Sequence, residues 1–179
     1  MAGPSRLVVW LIGIAIALNY VDRGAVSVAA PLVQDEFGLN ATGYGTIVSA
    51  FYWTYVPALL LAGWLADRIS VPWLMAAGVA IWGLATALMG VAGSVAGLIL
   101  LRLLMGLGEG VAFPGGSKLI AAVPEARRAR ANVALSGGIA LGPLVGTLAG
   151  GALIAAFGWR AMFIIFGLVT LVWVLPWLA

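Results

Sequence analysis

Short polar clusters divide this 179-residue chain into six long apolar runs, at about Leu7–Val33, Gly43–Ala66, Val71–Val91, Val95–Ala122, Ala131–Phe157 and Trp159–Ala179. A helix that crosses a bilayer needs roughly 20 mostly apolar residues, and each run is long enough. Membrane β-strands would show alternation at period two in segments of about ten residues. These runs are longer and continuously apolar, so the pattern predicts an all-α membrane protein with six transmembrane helices. They fill nearly the whole chain, and residues 1–179 read as one six-helix bundle.

Composition narrows the functional classes. Apolar residues make up 64% of the chain and charged residues only 8%, against about 25% charged in a typical soluble domain. There is no Cys and no His, which removes thiolate and imidazole chemistry and the commonest zinc sites. We therefore expect no metal site, no cofactor beyond a coupled proton, and no enzymatic activity. The nine Lys and Arg residues are too few and too scattered for a nucleic-acid footprint.

Loop charge orients the bundle. Arg6, Arg68, Lys118, Arg127, Arg128 and Arg130 fall on one side of the predicted membrane, and only Arg160 falls on the other. Cytoplasmic loops are the basic ones, so both termini are expected in the cytoplasm, in a multi-pass protein of the cell's inner (plasma) membrane.

Apart from charges in loops or near span ends, four charged residues remain deep inside the runs: Asp22 and Arg23 in the first, Arg102 and Glu109 in the fourth. A charge near a helix centre costs on the order of 3 kcal/mol on insertion scales, and such residues usually face a bundle interior or a wet cavity. Arg102 and Glu109 are two turns apart on one face, as Asn19 and Arg23 are one turn apart. Tyr20 and Tyr55 lie beside them in the pattern, and Phe51, Tyr55, Leu59 and Gly63 form one stripe in the second run. Arg binds carboxylates bidentately, and a carboxyl group taken out of water can hold a proton near neutral pH. A cavity with both can bind an organic anion and couple it to protons. Static ion pairs Asp22–Arg23 and Arg102–Glu109 are the competing structural reading.

Glycines carry a second signal. Gly138, Gly142, Gly146 and Gly150 recur every fourth residue, which suits close helix packing. Pro143 is expected to kink that helix, and a gating hinge there is the alternative. Gly106 and Gly110 flank Glu109, and a break is expected at Pro114-Gly115-Gly116. Trp10, Trp73, Trp159 and Trp177 fall near span ends, where interfacial aromatics belong.

Leu18-Asn-Tyr-Val-Asp-Arg23 with Ser27-Val-Ala-Ala-Pro31, Gly63-Trp-Leu-Ala-Asp-Arg68, Arg102-Leu-Leu-Met-Gly-Leu-Gly-Glu109 and Ala112-Phe-Pro-Gly115 together resemble the anion:cation symporters of the major facilitator superfamily. The pattern is most similar to the bacterial galactonate, glucarate and hexuronate transporters. The resemblance implies the N-terminal six-helix half of that fold, with a second six-helix half absent from this chain. It implies that Asp22 and Glu109 take protons, that Tyr20, Arg23, Tyr55 and Arg102 line or couple the substrate site, and that Gly63, Asp67 and Arg68 belong to a cytoplasmic gating motif. The expected activity is proton-coupled symport of an organic anion, a sugar acid in the first instance, by alternating access. Leu59, Gly116 and Gly138 stand where that family often has polar residues, which leaves a less hydroxylated anion open. Gly142-Pro143 resembles a motif of proton-driven exporters, so an exporter of amphipathic compounds stays open too, as does a non-transporting half-size module.

Overall fold

The computed structural model describes residues 5–179, and among them every regular element is helical. The order is α1 (Arg6–Phe37), α2 (Ala41–Ala66), α3 (Val71–Met89), α4 (Val95–Glu109), α5 (Ala112–Ala121), α6 (Glu125–Val172) and α7 (Val174–Leu178). Local chemistry explains several starts. Ser5, Asn40 and Ser94 each accept a hydrogen bond from the backbone N–H three residues on, at Val8, Gly43 and Gly97, which satisfies a donor that the first turn leaves free. Gly38 ends α1 at φ 63°, a left-handed conformation that glycine adopts without strain.

Among the described residues, five runs are long and apolar enough to cross a membrane: Arg6–Phe37, Ala41–Ala66, Val71–Met89, Val95–Ala121 and Glu125–Leu178. The two last spans predicted from sequence are joined in the fifth run, which is 54 residues long. That run does not go straight. At Gly158 the backbone takes φ 82° and ψ 166°, a region open in practice only to glycine. The arm before Gly158 runs parallel to α1: Gly138 meets Gly13 and Ala17, Gly142 meets Ala17 and Tyr20, and Gly150 meets Ala25 and Val28. The arm after it returns, with Arg160 bonded to Glu36 and Trp173 bonded to the Leu11 carbonyl at 2.9 Å.

Three further expectations are corrected. Helical dihedrals continue through Pro143, and the departure falls at Gly158 instead. In the fourth run the interruption is at Gly110–Val111, directly after Glu109; Pro114 sits in the first turn of α5, where a missing N–H costs nothing. Trp159 is no lipid-facing belt residue. It is 6% exposed and donates its indole N–H to Glu36 Oε2 at 2.8 Å.

Small residues set the helix separations. α4 lies between α2 and α3: a methyl group at Gly110 would sit 2.6 Å from the Ala58 side chain, and one at Gly108 would sit 2.6 Å from the Gly78 carbonyl oxygen. The apolar interior forms two clusters, one holding Leu11, Ile12, Met75 and Ile120, the other Val26, Phe51, Met105 and Phe163. The basic residues Arg6, Arg68, Lys118, Arg127, Arg128 and Arg130 gather at the end where α1 and α6 begin, and Arg160 is at the opposite end.

A methyl at Gly142 would lie 2.7 Å from the Ala17 carbonyl oxygen, whereas nothing lies within 4 Å of one at Gly151. Gly142→Leu is therefore expected to cost at least about 1–3 kcal/mol through overpacking, read as a lowered thermal-unfolding midpoint of the detergent-purified protein. Gly151→Ala should leave that midpoint in place, and equal effects of the two would contradict the packing shown.

Candidate functional site

The embedded polar residues collect halfway along the bundle, where the two apolar clusters meet. α1 contributes Asn19, Tyr20, Asp22 and Arg23; α2 contributes Phe51 and Tyr55; α3 contributes Thr86; α4 contributes Arg102 and Glu109. Asn19, Asp22, Thr86, Arg102 and Glu109 are all buried. Arg23 keeps 23% of its side chain exposed, and Tyr20 and Tyr55 are likewise half-buried. The cluster therefore opens to one side through a guanidinium and two phenol rings.

Arg23 is its hub. Its Nη2 lies 3.6 Å from Glu109 Oε2 and donates to Asn19 Oδ1 at 3.3 Å. The guanidinium carbon sits over the rings of Tyr20, Tyr55 and Phe51 at 4.5, 5.0 and 5.2 Å, within cation–π range. Phe51 and Tyr55 stack at 4.9 Å, one turn apart on α2. The ion pair thus joins α1 to α4, and it is neither of the two pairs suggested by sequence spacing.

The second acid has different company. Thr86 donates its hydroxyl to Asp22 Oδ2 at 3.2 Å, while Asp22 Oδ1 and both Glu109 oxygens have no hydrogen-bond partner. Asp22 and Arg23 are adjacent in sequence yet point about 100° apart, as successive helical residues do. Arg102 lies over the Phe51 ring at 4.8 Å and donates from Nη2 to the Val48 carbonyl at 3.3 Å. It serves the interior, not the open side.

The residues expected in a gating motif sit at the basic end. Asp67 accepts from Lys118 Nζ at 2.7 Å, and the same ammonium caps the Ala66 carbonyl at the end of α2. That hydrogen bond holds the exposed Asp67 carboxyl below the usual aspartate range. The bonded form is the ionised one, so the pair persists above that range and is lost as pH falls through Asp67's own titration. Arg68 lies over the Trp64 ring at 4.0 Å and bonds the Trp64 carbonyl. Gly63 has open space where a side chain would be. Gly138, Gly142 and Gly146 are buried against α1, and the Pro143 carbonyl lies 2.6 Å from a methyl position on Gly24.

Sequence reasoning missed Thr86 and the pairing of Lys118. Thr86 is a lone hydroxyl in an apolar helix, one turn after Trp82; its complete burial, not its spacing, marks it. Lys118 is the one basic residue of α5 and was read only as loop charge. Among the described residues no group of His, Cys, Asp or Glu is placed to hold a metal.

Comparison with known proteins shows the family of the chain. Residues 12–179 match the family model of the Major Facilitator Superfamily. The chain is 39% identical over 164 residues to a probable sulfoacetate transporter of Cupriavidus necator, covering 88% of this chain and 37% of that protein. It is 30% identical to a probable galactarate/D-glucarate transporter of Bacillus subtilis (96% of this chain, 39% of that one). It is 31% identical to the hexuronate transporter of the same organism (97% and 41%). The chain thus spans about two-fifths of the length of these relatives. Their names describe transporters, not enzymes. In fold it superposes on the crystal structure of a bacterial homolog to the human lysosomal transporter Spinster, inward-facing and unoccupied, with a TM-score of 0.90 at 24% identity, over 98% of this chain and 43% of that one.

The α1–α4 pair predicts non-additive stability. Arg23→Gln leaves Glu109 buried and unpaired, and Glu109→Gln removes that penalty. In a double-mutant cycle on the detergent-purified protein the two changes should couple by about 1–3 kcal/mol. Additive effects within about 0.3 kcal/mol would mean that the pair carries no interaction.

Proposed function

The chain belongs to the major facilitator superfamily, and from that premise we propose that it is the N-terminal half of a transporter that moves a small organic anion together with protons. We read the two arms of α6 as separate spans, which gives six crossings. The observation that carries the reading is Arg23: one partly exposed guanidinium, framed by aromatic rings and tethered to a buried carboxyl group. Arg can bond a carboxylate or sulfonate through two parallel N–H donors, and Tyr20 and Tyr55 frame that encounter. Arg102 adds positive field from behind. Relatives named for sulfoacetate, glucarate and hexuronate transport support an anionic substrate, and a neutral amphipathic cargo would leave Arg23 without a use.

Coupling follows from competition. Glu109 and an incoming anion both need Arg23; protonation of Glu109 releases the guanidinium, and the anion then takes its place. Asp22, held by Thr86 on the far side of α1, is the second proton carrier. Both states are neutral around Arg23, which is what movement through a low-dielectric interior requires. We place the basic end in the cytoplasm of the cell's inner membrane, where Asp67 with Lys118, and Arg68, secure the end of α2 as the gate opens and closes. The Gly138–Gly146 stripe lets α6 bear closely on α1 during that motion. A sugar acid is the first substrate to test.

Uptake of labelled glucuronate, galactonate and sulfoacetate by the full-length transporter in proteoliposomes tests this. At least one should accumulate when an inward proton gradient is imposed. Arg23→Ala should cut that uptake by at least about tenfold, the effect of losing some 1.4 kcal/mol of binding. Gradient-driven accumulation that persists in Asp22→Asn and Glu109→Gln would sink the coupling scheme while leaving anion transport intact.

A further inference from the structure

Between the basic ends of α1 and α6 lies an open groove of about 640 Å³, apart from the Arg23 cluster. Its chemistry is divided along its length. Arg6, Arg127 and Arg130 stand at its mouth, and the remaining lining residues, from Val9 to Leu141, are apolar or glycine. All three arginines are exposed, and among the described residues none has a carboxylate within ion-pair distance. From Arg6 to Ala17 on one wall, and from Arg130 to Leu141 on the other, the groove follows about 16 Å of helix rise. That is about half of the ~30 Å hydrocarbon thickness of a bilayer. The dimensions are those of one leaflet, with the positive charge at headgroup level and the apolar channel at the depth of the acyl chains.

We propose that this groove binds an anionic phospholipid, its phosphate among Arg6, Arg127 and Arg130 and one acyl chain along the channel between α1 and α6. Charge complementarity selects the headgroup, since basic clusters at a membrane surface attract anionic lipids. Shape selects the tail. A methyl group at Gly137 would have nothing within 4 Å, so the floor is bare at the point where a chain would lie. A soluble anion would satisfy the arginines and leave the channel unfilled. A zwitterionic lipid would fill the channel and leave the net charge at its mouth uncompensated.

The full-length transporter, purified and delipidated, can be titrated with phosphatidylglycerol or with phosphatidylcholine of the same chains, and the adducts counted by native mass spectrometry. The first phosphatidylglycerol should bind about tenfold more tightly than phosphatidylcholine. The combined change Arg6→Gln, Arg127→Gln, Arg130→Gln should erase that preference. Gly137→Leu keeps all three charges and fills the channel, and it should weaken phosphatidylglycerol binding several-fold; Gly151→Leu, on the same helix outside the groove, should not. A thermal midpoint measured for each variant separates lost binding from lost folding. Equal binding of the two lipids by the unmodified protein overturns the proposal. So does unaltered phosphatidylglycerol binding by Gly137→Leu, which would mean that the charges act alone or that another segment of the transporter occupies the channel.

Discussion

A charge in the middle of a helical membrane bundle must be compensated by the protein, because neither lipid nor a packed interior solvates it. Four such charges stand in this bundle, and the helices around them are arranged to bring compensation within reach. Arg23 and Glu109 meet across α1 and α4 at 3.6 Å, through two long side chains that span helices whose backbones hardly touch. Glycine sets the separations of the helices around that pair. Gly106 and Gly110 turn a bare surface to α2, Gly108 does so to α3, and Gly142 and Gly146 let α6 press α1 from behind. Any of these contacts held wider by a side chain would lengthen the ion pair or open the cluster to lipid.

The two carboxyl groups are equally buried and unequally partnered. Glu109 faces a guanidinium that is itself shared with the open side, while Asp22 faces the hydroxyl of Thr86 inside the bundle. A pair of acids in such different surroundings is an arrangement in which each can answer to a different event. The ends of the bundle are tied more simply. Glu36 accepts from both Trp159 and Arg160, and Arg160 also caps the carbonyls of Gly90 and Ala92. That joins the close of α1, the close of α3 and the bend at Gly158 in one network.

Much of this was legible in the sequence, and the limit of legibility has a physical cause. Helical periodicity reports which residues share a face of one helix, so the grouping of Asn19 with Arg23, and of Phe51 with Tyr55, could be read directly. It carries no information on which face meets which neighbour. For that reason spacing suggested Arg102 for Glu109, when the guanidinium within ion-pair distance comes from α1. Thr86 was invisible because a lone hydroxyl leaves an apolar pattern nearly unchanged. Lys118 was visible as a charge but not as the partner of Asp67, fifty-one residues away. Pro143 drew attention as a breaker, yet a missing N–H is tolerated within a packed membrane helix, whereas the positive φ at Gly158 reverses the chain.

Exposure within the central cluster is divided in a way that bears on recognition. Only Arg23, Tyr20 and Tyr55 reach the open side; Arg102, Asp22 and Glu109 do not. A ligand arriving from that side meets a cation and two aromatic edges first, and it senses the acids only through the guanidinium that Glu109 also needs. On the proposed reading this wall sets the sign of the ligand and links it to an acid, and it offers few groups that could count hydroxyls or measure length. The relatives named for sulfoacetate and for six-carbon sugar acids differ greatly in both respects, while each is 30–39% identical to this chain over the aligned segment. A wall that reads charge and leaves shape to be read elsewhere is compatible with that spread. On the proposed reading, selectivity among anions falls to residues facing Arg23 from across the cavity, and coupling to protons falls to this wall.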